Sequence, residues 1–165
     1  KFSWVSSQYL LKQDPNTILQ LIRKLEPTWG GNKTEDFCMR VIHLMTPRCN
    51  FIGDIIKKSH YFFDYPKGYN VDDQKKVWKE KTAIILKDIM KLYEKVDCQD
   101  HQGLEGLFKE YIKSSGHGFG QVMKPMRLAI CGSLTGPSLF DLMELIGIDD
   151  FLKRINLYKN KFKND

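Results

Sequence analysis

The sequence predicts an all-α protein of about eight or nine helices in two tandem helical bundles. Apolar residues recur at helical spacing almost from end to end. Helix start and stop signals punctuate that pattern. No two alternating apolar and polar runs flank a tight turn, so nothing argues for a hairpin. No fixed-period repeat is present either.

Trp4 to Lys12 carries Val5, Tyr9 and the Leu10-Leu11 pair. Asp14-Pro15 is a start signal, an N-cap acid followed by proline at the first helical position. Ile18, Leu21, Ile22 and Leu25 form the apolar stripe that follows, ended by Pro27 and the loop at Gly30-Gly31. Thr34 caps the next helix, with Glu35 and Asp36 in the first turn where the helix dipole favours acids. Its stripe is Phe37, Val41, Leu44 and Met45, and Pro47 ends it. Asn50 caps a short helix with Ile52, Ile55 and Ile56, followed by Tyr61-Phe62-Phe63. From Asp72 to about Lys95 the pattern reads as one long helix with Val77, Trp78, Ile84, Ile85, Ile89 and Leu92 inward.

The polar stretch Asp97 to Gly103 breaks the pattern, so the subdomain boundary is expected there, giving 1–97 and 98–165. Leu104, Leu107, Phe108, Tyr111 and Ile112 start the second part. Pro125 is expected in the first turn of a helix that reaches Cys131 and is closed by Gly132. Gly136-Pro137 opens a helix with the stripe Leu139, Phe140, Leu142, Met143 and Ile146, which Gly147 stops. Asp149 and Asp150 start the last helix, built on Phe151, Leu152 and Ile155, and its basic end is expected to fray from Lys159.

At 165 residues, with 42% apolar and 28% charged, the chain has enough core to fold without disulfide or metal staples. No apolar run is long enough for a membrane span. The net charge of +6 permits a polyanionic partner without requiring one. Nothing reads as a signal or transit peptide, and reduced thiols in a cytoplasmic or organellar compartment are expected. Lys1 stands in the middle of an amphipathic pattern, so the chain is expected to be a piece of something longer.

Candidates for catalysis are few. Asp72-Asp73 and Asp149-Asp150 sit at helix starts, where capping explains them. The four histidines are scattered, and no serine or cysteine sits in a nucleophile elbow. Cys38, Cys49, Cys98 and Cys131 show no zinc-ligand spacing. The run Gly116-His117-Gly118-Phe119-Gly120 lacks both the dinucleotide spacing and the Gly-Lys-Ser/Thr ending of a phosphate loop, and reads as a helix–helix connection.

Charge distribution says more. Phe37 to Gly53 contains no acid but holds Arg40, His43 and Arg48. Tyr111 to Phe140 again has none, and holds Lys113, His117, Lys124 and Arg127. Such windows mark either buried segments or faces turned to one negatively charged ligand. Arg48 and Arg127 lie near prolines at helix junctions, where a guanidinium can reach a phosphate or a base edge. Trp4, Tyr9, Phe119 and Phe140 lie beside these windows, as core residues or as rings on which unpaired bases stack. A helical protein-interaction scaffold is the alternative, and a large exposed apolar patch would mark it.

Three stretches carry a resemblance: Lys1-Phe2-Ser3-Trp4 with Tyr9-Leu10, Leu44-Met45-Thr46-Pro47-Arg48, and Ser59 to Phe63. The most specific piece runs from Gly120 to Gly132 through Lys124-Pro125-Met126-Arg127, and continues from Gly136-Pro137-Ser138-Leu139-Phe140 to Gly147. Together they resemble the C-terminal half of bacterial-type glutamyl-tRNA synthetases over essentially the whole chain.

The resemblance implies an anticodon-binding region of two tandem helical subdomains that takes tRNA(Glu) as its partner. It implies a monomer with no membrane contact. The catalytic domain would precede this region in the same polypeptide. That domain's ATP-binding motifs are absent here, so ATP and Mg belong to the parent enzyme, and this chain is expected to have no cofactor and no activity alone. It places Lys1, Trp4, Arg48, Arg127, Pro137, Leu139 and Phe140 on the anticodon, with Lys124 and Lys113 as auxiliary phosphate contacts. Arg48 matches the arginine that reads the third anticodon base. Departures from the family pattern are Thr46, where a basic residue is common, Met126 for leucine, and Ser138 for glycine.

Overall fold

The computed structural model describes residues 8–97 and 99–163. The described residues form helices and turns, with no strand among them. The chain divides into two compact units, Lys1–Asp64 and Tyr65–Asp165.

The first unit opens with a helical stretch over 8–12 that buries Leu10. Helix α1 (Pro15–Leu25) is capped by Asp14, whose carboxylate accepts from Asn16 N at 2.8 Å. It buries Ile18, Leu19 and Ile22, while Leu25, at the frayed end before Glu26, is exposed. Helix α2 (Glu35–Met45) is capped by Thr34, whose hydroxyl accepts from Phe37 N at 3.2 Å. Its buried residues, Cys38, Val41, Ile42 and Met45, pack on α1. Helix α3 (Ile52–Lys58) packs on α1 as well, and the short α4 (His60–Phe63) buries Tyr61 and Phe62. The Trp29 indole N–H donates to Ser59 Oγ at 2.9 Å and its ring meets Phe63 edge-on at 5.0 Å, which ties the Gly30-Gly31 loop to α4.

The second unit holds α5 (Val71–Val77), α6 (Thr82–Tyr93), α7 (His101–Ser115), α8 (Phe119–Cys131), α9 (Leu139–Ile146) and α10 (Ile148–Phe162). Helix α10 packs on α8 and α6, α6 on α8, α5 on α8, and α7 on α9. Segment 65–97 thus belongs with the C-terminal helices, and the units part at 64/65 instead of the expected 97/98. The polar run there is a helix start: Asp100 caps α7 by accepting from Gly103 N at 2.7 Å. The buried Tyr93 hydroxyl donates to Leu104 O at 2.9 Å across it.

Three further expectations are corrected. The pattern from Asp72 to Lys95 is broken, because Trp78 leaves α5 with extended geometry. The Thr82 hydroxyl accepts from Lys79 N at 2.8 Å and starts α6, and Ile84, expected inward, is 61% exposed. Pro125 lies inside α8, not in its first turn, because the helix begins six residues earlier at Phe119. The missing N–H leaves a carbonyl unpaired at Gln121, an exposed residue that water can reach. The last helix holds to Phe162, where its end was expected to fray from Lys159; Tyr158 and Phe162 pack ring against ring.

Gly132 closes α8 at φ +76°, and a Cβ there would stand 2.7 Å from the Gly68 carbonyl oxygen. That contact is filled by the Asn70 N–H, which donates to Gly132 O at 2.8 Å. Only glycine satisfies both the left-handed backbone and the close approach.

Candidate nucleic-acid interface

In the first unit the acid-free window forms the exposed side of α2 and the turn after it. A single 3-10 turn, Thr46–Arg48, continues α2. The buried Thr46 hydroxyl donates to Ile42 O at 2.6 Å and anchors that turn. The threonine that replaces a basic residue of the family pattern is therefore a fastening. Cys49 then turns to extended geometry and goes inward, which leaves Arg48 exposed at the turn's end. Among the described residues the Arg48 guanidinium makes no hydrogen bond or ion pair. Arg40, His43 and Pro47 are exposed too, spaced to share one helical face.

The next residues add a ring. Phe51 is 51% exposed, and its backbone is pinned because Asp54 Oδ2 accepts from both Asn50 N and Phe51 N at 3.1 Å. The carboxylate nearest Arg48 in sequence is thus engaged as a helix cap. Burial pushes the Cys49 thiol up to about 11, with the charges of Lys58 and Arg48 opposing it and that of Asp54 adding to it. Arg48, Phe51 and Lys58 are all exposed in this segment. Sequence reading missed Phe51; its signal was the Phe-x-x-Asp spacing of a cap.

In the second unit Arg127 is half-buried. It donates from one guanidinium nitrogen to Pro137 O at 2.8 Å, and its charge partly offsets the burial that raises the Cys131 thiol to about 11. Arg127 and Pro137 are therefore brought together, with the arginine holding the 132–138 loop against α8. Pro137 is buried, and Leu139 and Phe140 are 1% and 5% exposed. Their side chains are core, contrary to the expectation that they lie on the anticodon surface. Phe140 packs on Phe108 at 5.5 Å and on His101 at 5.8 Å. What these residues offer a ligand is backbone at the start of α9, whose N-cap Ser138 makes no side-chain cap bond. Lys113 and Lys124 are exposed, and so is Phe119, whose ring meets Phe108 edge-on at 5.2 Å. The glycine run is a helix–helix connection: Gly116 ends α7 in left-handed geometry, and Gly118 N donates to Gln121 Oε1 at 2.8 Å. Lys1 and Trp4 lie outside the described residues.

A charged cluster fixes the start of α9. His101 Nδ1 lies 2.5 Å from Asp141 Oδ1 and Nε2 lies 3.2 Å from Glu105 Oε2, while the His101 N–H donates to Glu144 at 2.9 Å. Lys109 in turn pairs with Glu105 at 3.0 Å. The Asp141 hydrogen bond, against some desolvation, holds the His101 pKa above its ordinary 6.5. A raised pKa in the folded state contributes stability that is complete below about pH 6.5 and is lost as pH rises through the higher folded value. His101→Gln is therefore expected to remove a stability difference seen between pH 6 and pH 8 in urea melts (~two pH units spanning the ordinary histidine range). An unchanged pH profile in the variant would show that the cluster contributes nothing.

Comparison with known proteins gives this geometry a family. The pattern of the family described as "Anticodon binding domain" matches residues 20–158. The chain belongs to that family. It is similar to the glutamate–tRNA ligases of Flavobacterium johnsoniae, at 29% identity, and Porphyromonas gingivalis, at 32%, over 94% of this chain and 31% of each relative. A crystal structure of a glutamate tRNA ligase from Elizabethkingia meningosepticum in complex with its amino acid matches with a TM-score of 0.86 and 28% identity, over 96% of this chain and 31% of that one. The glutamate-tRNA synthetase of Elizabethkingia anophelis matches with a TM-score of 0.81 and 26% identity over the same shares. The chain thus spans about a third of the length of the relatives it matches. No helix among the described residues is long and apolar enough to cross a membrane.

Proposed function

We propose that this chain recognises the anticodon loop of tRNA(Glu) as the anticodon-binding part of a glutamate–tRNA ligase. In this reading the catalytic domain lies elsewhere in the same polypeptide and performs the ATP- and Mg-dependent glutamylation. Each compact unit is one anticodon-binding subdomain. The observation that carries the reading is Arg48: an exposed guanidinium with no acceptor among the described residues, on an anchored turn, in a sequence window without acids. An A-form stem hides its major-groove edges, so unpaired bases are what such a group can read. Arg127 acts at one remove, positioning the loop and the start of α9, and Lys124 and Lys113 supply phosphate contacts.

Two titrations by fluorescence anisotropy test this. The chain is expected to bind an anticodon-arm hairpin of tRNA(Glu) more tightly than the same hairpin with a different anticodon. Equal affinity defeats the reading. Affinity is also expected to fall with salt, with a slope of about −0.7 in log K against log salt for each phosphate neutralised. A flat dependence would remove the polyanion argument.

A further inference from the structure

Between α5 and the end of α10 lies an open cleft of about 410 Å³. Its walls are the rings of Tyr69, Trp78 and Phe162, with Gln74, Lys75 and Lys161 beside them and no acid among the lining residues. Trp78 and Phe162 stand 5.8 Å apart at 48°, and Tyr69 and Phe162 5.5 Å apart at 70°. Lys161 Nζ lies 5.3 Å from the centre of the Tyr69 ring. Below them the buried Tyr158 donates its hydroxyl to Gln74 Oε1, which leaves the Gln74 amide N–H groups for a ligand. Neither Lys75 nor Lys161 has an ion-pair partner among the described residues. The break at Trp78 builds this place: extended geometry there takes the indole out of the helical register, and its ring packs against Phe162.

The cleft and the loop that Arg127 holds share helix α5. Asp73 Oδ2 accepts from Leu134 N at 3.1 Å, and Asn70 N donates to Gly132 O at 2.8 Å, so the start of α5 is bonded to that loop. The next residues of the same helix, Gln74 and Lys75, line the cleft. Loop and cleft are separated by one helix, about 10 Å across.

We propose that this cleft seats one unpaired base of an RNA strand already held at the Arg127 loop, stacked among Trp78 and Phe162, with its phosphate on Lys75 and Lys161. This rests on the anticodon-binding reading above and adds a contact point to it. Magnitude decides for a strand over a free nucleotide. One stacked base gains roughly 5- to 150-fold. That is too little to hold a lone mononucleotide below about millimolar concentration. For a strand already bound nearby, whose association entropy is already lost, the same factor adds directly to the affinity. Charge decides against an apolar protein side chain: two unpaired ammonium groups and an amide donor complement a phosphate and a base edge.

The test reads the Trp78 indole N–H signal by NMR in the whole chain, assigned by its loss in Trp78→Phe. The probes are the tRNA(Glu) anticodon-arm hairpin and uridine monophosphate. The hairpin is expected to shift the signal over the concentrations at which anisotropy reports binding, and the mononucleotide to need far more. The double variant Lys75→Gln, Lys161→Gln changes only exposed residues and is expected to weaken hairpin binding about tenfold while preference between anticodons stays intact. An unmoved Trp78 signal at saturating hairpin overturns the proposal and leaves the cleft to a protein partner. So does a double variant that binds like the parent. A mononucleotide that saturates the cleft as readily as the hairpin overturns the assignment to a strand. A hairpin bound without anticodon preference defeats the anticodon reading instead, and the Trp78 response still decides the cleft.

Discussion

Arg154→Ala is expected to destabilise the second unit by about 3 kcal/mol. The side chain is 2% exposed. Its Nε–H donates to Asp150 Oδ2 at 3.0 Å and a terminal nitrogen donates to Ile130 O at 2.9 Å, while the guanidinium carbon lies 5.4 Å from the Tyr65 ring centre. Ile130 is one residue from the end of α8, where carbonyls have no intrahelical partner. The arginine thus satisfies an orphan acceptor, places a positive charge at a helix C-terminus, and fastens α10 to α8. Truncation leaves a buried carbonyl unpaired and opens a cavity under Tyr65. Asp150 is about a third exposed and recovers some hydration, which keeps the figure below the top of the range for a broken buried pair. Thermal melts are expected to fall by ~6–12 °C, at about 2–4 °C per kcal/mol for a chain of this size. Arg154→Met separates the causes. It restores packing volume but not the donors, so most of the loss should persist. Recovery to near the parent value in the methionine variant would show that the arginine acts through its bulk.

Much of this fold was legible because local chemistry decides helix ends. Asp14, Thr34, Gly132 and Gly147 each cap or close a helix where the spacing of apolar residues said they should. What escaped was decided by partners distant in sequence. The lysines and acids around Trp78 suit a helix as well as a turn, and only the aromatic cluster with Tyr158 and Phe162 selects the break. Nothing local to Arg154 marks it as buried, because the carbonyl it donates to, Ile130 O, lies 24 residues away. Pro125 reads as a helix start by local rule, yet Phe119 begins the helix two turns earlier, against Phe108.

The candidate site divides in the same way. Arg48 stood out in the sequence as an arginine after a proline in a window without acids, and in the folded chain its side chain is exposed. For Phe140 the residues alone left core and stacking surface both open, because a loop-and-helix start says nothing about which face is covered. In the folded chain Phe108 and His101 cover it. Arg127 is half-buried and holds the Pro137 carbonyl, which turns it toward the loop. Its removal should therefore weaken cognate and non-cognate RNA alike, through a loosened loop.

Arg48→Ala should behave differently, and the difference isolates base reading from general affinity. The side chain is exposed and makes no hydrogen bond or ion pair among the described residues, so the stability of the first unit should change by less than about 0.5 kcal/mol. Binding of the tRNA(Glu) anticodon-arm hairpin should weaken by roughly 1–3 kcal/mol if the guanidinium makes a two-point contact with a base edge. A hairpin changed only at the third anticodon base has already lost that contact, so the variant should bind it about as the parent does. In a thermodynamic cycle over protein variant and hairpin, the coupling energy should account for most of the loss. Arg48→Lys sharpens the test, because an ammonium keeps the charge and the phosphate attraction but lacks the planar fork. It is expected to restore the salt slope without restoring the preference between anticodons. Equal losses for both hairpins in the alanine variant, made good by lysine, would instead make Arg48 a phosphate clamp, and recognition of the third base would have to come from elsewhere on the surface.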